Sequence, residues 1–150
     1  MYIILADRQD ITRAGMMYYV QTLEDTKCRQ AGDKTEMIEQ LKEHPDAVIV
    51  LDYTLFDIND VEELEILCQR FPMAQWLLFS TELSVDFVRR IVAISPRFSI
   101  LMKESPSQEI LECLQYAKSH QRYISVSVGV SFTSSSTLLC TGASSSSAIR

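Results

Sequence analysis

Short apolar runs alternate with capped helical patterns over the first 124 residues, and this alternation limits the chain to very few architectures. The runs are Tyr2–Ala6, Ala47–Leu51, Trp76–Phe79 and Ser99–Met102, with a more polar candidate at Lys27–Gln30. Runs this short and this apolar suit strands buried on both faces of a parallel sheet. Helical segments with start signals lie between them. Asp10 precedes Ile11–Leu23, Asp33 with Glu36 precedes Met37, Ile38 and Leu41, and Asp60 with Glu63 precedes Leu64 and Leu67. Ser84 precedes Val85–Ile94, and Ser105 is a cap candidate with Pro106 at the first helical position. The order βαβαβαβαβα predicts an α/β fold: a doubly wound, five-stranded parallel sheet with helices on both faces.

In such sheets, chemistry collects at the carboxyl ends of the strands. Asp7 stands at the end of the first run, Asp52 after the third, Ser80 and Thr81 after the fourth, and Lys103 after the fifth. Two carboxylates, a hydroxyl and an ammonium therefore converge on one sheet edge. A carboxylate can attack a phosphoryl group and form an acyl phosphate. The transfer needs mainly positioning and charge neutralisation. A carboxylate-bound magnesium ion supplies part of that neutralisation, and a lysine pairs with phosphoryl oxygens. Each residue also has an ordinary reading: helix cap, loop acid, turn former, solvated lysine. Their joint occurrence at successive strand ends is what favours the chemical reading.

The remaining numbers exclude several classes. A formal net charge of −6 argues against a nucleic-acid surface made by this chain alone. No stretch is apolar enough to span a bilayer, and Met1 is followed by a strand-like run instead of a basic leader, so a cytoplasmic protein is expected. Cys28, Cys68, Cys113 and Cys140 match neither a disulfide framework nor a zinc site. With only four glycines and no glycine-rich phosphate loop, a nucleotide- or flavin-binding enzyme of similar fold is a weak third reading. The 125–150 stretch is serine-rich and reads as a disordered tail or one derived from an expression vector or frameshift. An extra strand over Ser125–Phe132 is the alternative.

The stretches Ile4-Leu5-Ala6-Asp7 with Thr12-Arg13-Ala14-Gly15, Val50-Leu51-Asp52, Leu101-Met102-Lys103-Glu104-Ser105-Pro106 and Gln121-Arg122-Tyr123-Ile124-Ser125 carry a family likeness. Over about residues 2–124 the chain resembles the receiver domain of two-component response regulators, in particular the NarL/FixJ/LuxR class. The resemblance implies a CheY-like, flavodoxin-like (βα)5 fold and a phosphoacceptor, not an enzyme in the usual sense. Asp52 would be phosphorylated by a sensor histidine kinase, with Ser80 and Lys103 contacting the phosphoryl group. Magnesium would be bound by Asp7, Asp52 and the backbone carbonyl of Thr54. The modification would control an output domain, often through a homodimer, and DNA would be bound only through that domain, which is missing here. The chain is accordingly expected to be a receiver cut from a transcription regulator, or one standing alone.

The pattern departs from the family at Arg8, where a second acid is usual, at Phe56 in the following loop, and at Ile100, where an aromatic residue is usual. These support an alternative: a degenerate, phosphorylation-independent receiver used as a protein-interaction or dimerisation module. The Arg8 guanidinium could act as a fixed counter-ion to Asp52 in place of the metal; the ordinary reading of the same residue is an arginine pointing to solvent. The apolar residues of the first and last helices, Ile11, Met16, Tyr19, Leu114 and Tyr116, are expected mostly to face the core.

Overall fold

The computed structural model describes residues 1–53, 56, 58 and 60–125. Five strands, β1 (Tyr2–Ala6), β2 (Lys27–Gln30), β3 (Val48–Leu51), β4 (Gln75–Ser80) and β5 (Phe98–Met102), alternate with five helices. These are α1 (Asp10–Val20), α2 (Lys34–Glu43), α3 (Val61–Arg70), α4 (Val85–Ile94) and α5 (Ser107–Lys118). The sheet is parallel throughout, in the order β2-β1-β3-β4-β5. This is the flavodoxin-type doubly wound order, whose topological switch point lies between β1 and β3.

The alternation of side chains along each strand builds two cores. Ile3, Leu5, Val48, Val50, Leu77 and Leu101 pack with Met16 and Val20 of α1 and with Ile110, Cys113 and Leu114 of α5. Ile4, Ala6, Ile49, Leu51, Trp76 and Leu78 pack on the other face with Met37 and Leu41 of α2, Leu64 and Leu67 of α3, and Ile91 of α4. The central strands thus need apolar residues at every position, as read. The polar run Lys27–Gln30 still forms a strand because it pairs along one side of β1 at the sheet edge, where its charged residues reach water.

Three helix starts match their signals. Asp33 accepts from Glu36 N–H, Asp60 from Glu63 N–H and Ser84 from Phe87 N–H. Two do not. Gln9, not Asp10, is the N-cap of α1, and Asp10 lies in the first turn, where it pairs with Arg13. Pro106, not Ser105, is the N-cap of α5. An acid favours the first turn of a helix nearly as well as its cap, so residue type alone does not separate the two positions. Helix α1 also stops at Val20, three residues before the expected Leu23.

Beyond α5 the chain runs beside β5. Ile100 N–H donates to Tyr123 O and Ser125 N–H to Ile100 O, both at 2.8 Å, forming a parallel bridge between Ile100 and Ile124. Arg122 donates to the carbonyls of Val92 and Ser95 at the end of α4. Apart from Ser125, the stretch read as a tail or extra strand lies outside the described residues. Met16 and Leu114 are buried and Tyr19 and Tyr116 are partly buried, as expected, whereas Ile11 is 83% exposed. Cys28, Cys68 and Cys113 are free thiols. Burial pushes the Cys28 thiol up to about 12, so it stays protonated.

Candidate functional site at the strand ends

The site is made by the residues that follow the central strands. Register pairs Ala6 with Leu51, and Asp52 N–H donates to Ala6 O at 3.1 Å. Asp7 and Asp52 therefore emerge side by side from β1 and β3, at the switch point. Both are 2% exposed. On the other side, Lys103 N–H donates to Ser80 O at 2.9 Å, which extends the β4–β5 ladder by one residue.

Lys103 closes the arrangement. Its Nζ lies 2.9 Å from Asp7 Oδ2 and 2.7 Å from Asp52 Oδ2, with only 8% of its side chain exposed. Strand β5 is separated from β3 by β4, at roughly 4.8 Å per strand. Only a long cationic side chain spans that gap. Buried charges are tolerated when paired, and here one ammonium serves two carboxylates in a nearly dry site. The cluster retains one net negative charge.

The other predicted residues fall around this cluster. Ser80 is buried at the end of β4, and its hydroxyl donates to Glu82 O at 3.1 Å. Arg8 is exposed, and its guanidinium carbon stands 5.8 Å from the centroid of the fully buried Phe56 ring, within cation–π range. Lys103 supplies a cation 2.7 Å from Asp52 Oδ2. Ile100 is buried against Val88 of α4. Thr54 lies outside the described residues.

Two neighbours carry no sequence signal of their own. Gln9 Oε1 accepts from Lys103 Nζ at 2.6 Å, while Gln9 N–H donates to Asp7 Oδ1 at 2.8 Å. Tyr53 follows Asp52 and stacks on Phe87 of α4, with centroids 4.4 Å apart and planes inclined by 8°. Burial, and then the Asp52 charge, push its phenol above the ordinary tyrosine range. Its position next to Asp52 was legible; its stacking on α4 depends on tertiary contact.

The carboxylates suit a divalent cation. Asp7 Oδ2 is buried and makes no hydrogen bond, though the Lys103 ammonium is close. Magnesium usually takes one or two carboxylates and completes its shell with water and phosphate oxygens. Asp7 and Asp52 meet that requirement, while no group of three or more His, Cys, Asp or Glu side chains among the described residues makes a fuller cage.

No protein-family model matches the chain. The transcriptional activator protein ExaE of Pseudomonas putida is 26% identical over 125 residues, 83% of this chain. The chain spans 58% of that relative's length. A LuxR-family two-component response regulator from Aurantimonas sp. SI85-9A1 superposes with a TM-score of 0.76 at 19% identity, covering 89% of this chain and 96% of the other. The isolated REC domain of RcsB from Salmonella enterica serovar Typhimurium, solved with the phosphomimetic BeF3-, gives 0.73 at 16% identity over 85% and 95%. No helix among the described residues is long and apolar enough to cross a membrane. The chain has the fold of a response-regulator receiver domain of the kind found in LuxR-family regulators.

Proposed function

We propose that the chain is the phosphoacceptor unit of a transcription-regulating response regulator, with Asp52 accepting a phosphoryl group from a sensor histidine kinase. The observation that carries this reading is the Lys103 ammonium held between two buried carboxylates at the sheet's switch point. A carboxylate oxygen of Asp52 attacks phosphorus, and the bond from phosphorus to the donor's imidazole nitrogen breaks, its electron pair staying on that nitrogen. Lys103 then neutralises charge on the phosphoryl oxygens, and the Ser80 hydroxyl turns from Glu82 O to donate to one of them. Asp7 and Asp52 would hold a magnesium ion, which supplies further neutralisation of the transferring group.

The output would lie in a longer protein, with DNA contacted only by a separate domain. The Tyr53–Phe87 stack links the acceptor's neighbour to α4, which gives phosphorylation a route to the helical surface, including one that pairs two copies. Beryllofluoride titration monitored by NMR tests the reading. Magnesium-dependent shifts at Asp7, Ser80 and Lys103 are expected. An unchanged spectrum at saturating beryllofluoride would instead favour the phosphorylation-independent interaction module, which the residue types at Arg8, Phe56 and Ile100 support.

A further inference from the structure

Gln9 occupies the N-cap of α1, yet its side chain makes no capping bond. A side-chain oxygen at this position ordinarily accepts from an N–H of the first turn. Here Oε1 faces the strand ends instead, accepting from Lys103 Nζ at 2.6 Å and from Thr12 Oγ1 at 3.1 Å. The backbone of Gln9 is fixed on both sides. Its N–H donates to Asp7 Oδ1 at 2.8 Å, and its carbonyl accepts from Arg13 N–H at 3.0 Å.

An ammonium has three protons to donate. Lys103 Nζ has three oxygens around it: its ion-pair partners Asp52 Oδ2 at 2.7 Å and Asp7 Oδ2 at 2.9 Å, the latter not hydrogen-bonded, and the acceptor Gln9 Oε1 at 2.6 Å. The first two are charged and are the groups that a phosphoryl transfer or a bound cation would draw away. The third is neutral, tied to a helix start, and unaffected by either event. A lysine stem is rich in rotamers, so a fixed acceptor limits how far the ammonium strays when its carboxylate partners change.

We propose that Gln9 is a positioning residue whose amide oxygen holds the Lys103 ammonium at the strand ends, ready for the phosphoryl oxygens on Asp52. This rests on the phosphoacceptor reading of the same site. A neutral acceptor suits the task. A carboxylate in its place would also hold the ammonium but would compete with the phosphoryl group for it.

The test compares the wild type with Gln9→Met, which keeps length and removes the acceptor, and Gln9→Glu, which keeps an acceptor and adds charge. One readout is the proton–nitrogen NMR cross peak of the Lys103 ammonium, visible only when the ammonium is held and slow to exchange. The other is the initial rate of Asp52 labelling by acetyl phosphate. Gln9→Met should lose the cross peak and label roughly three- to tenfold more slowly, the range of one hydrogen bond. Gln9→Glu should keep the cross peak yet also label more slowly than wild type. All three should unfold cooperatively, which shows that each variant is folded, since the Gln9 side chain makes no capping bond. An unaltered cross peak and rate in Gln9→Met would overturn the proposal. A wild type that shows the cross peak but never takes label would instead overturn the phosphoacceptor reading, and the cross peak would still decide whether Gln9 holds Lys103.

Discussion

Leu51 and Asp52 are neighbours in sequence and equally inaccessible, yet they belong to regions with opposite chemistry. Leu51 ends a strand buried on every side, inside a core shared with α2, α3 and α4. Asp52 begins the site, where two buried carboxylates share one lysine. Burial stabilises the fold through the first residue. At the second it opposes the fold, and the contact with Lys103 offsets it. The boundary between scaffold and site is one peptide bond wide at β3, and again at β1, where Ala6 gives way to Asp7.

Substitutions on the two sides of that boundary should separate stability from chemistry. Asp52→Asn should abolish phosphoryl uptake completely while leaving unfolding stability at or above wild type, since one buried charge is removed. Leu51→Ala should do the reverse, costing about 3 kcal/mol in chemical denaturation. Equal destabilisation by both would erase the distinction. Lys103→Met keeps length without charge. It should lower the labelling rate by about 100-fold, the usual scale for removing one preorganised electrostatic contact.

Arg8→Ala sharpens the comparison from outside the cluster. Removing a cation beside a negatively charged site should tighten magnesium binding roughly threefold, with the gain shrinking as salt is added. A calorimetric titration at two ionic strengths checks this, and unchanged affinity would show Arg8 to be remote from the metal position. The smallest effect concerns Tyr53. Its raised phenol favours the neutral form in the folded state. Its contribution to stability is therefore fully present below the ordinary tyrosine range and declines as pH rises through it. In Asp52→Asn the Coulombic part disappears but the larger part from burial remains, so spectrophotometric titration should find the phenol lower than in wild type yet still raised.

The scaffold was legible where local physics determines it. Val48–Leu51 has no polar residue, so it has no exposed face, and Asp33, Asp60 and Ser84 were readable as caps because a side-chain acceptor must sit there. The site was legible only as a set of residue types at strand ends. Which of them meet depends on strand order, and Gln9 and Lys103 touch across 94 residues. No periodicity encodes that distance. Arg8 illustrates the same point. Nothing in its sequence position showed that its guanidinium stands over the Phe56 ring, just as nothing local showed that Lys103 reaches Asp52 from β5.

The phosphoacceptor reading is tested most directly by intact-mass analysis after incubation with acetyl phosphate and magnesium, run on the wild type beside Asp52→Asn. The wild type should gain the mass of one phosphoryl group, released by hydroxylamine as an acyl phosphate, and the variant should gain none. No gain in the wild type, or the same gain in both proteins, would contradict the assignment of Asp52.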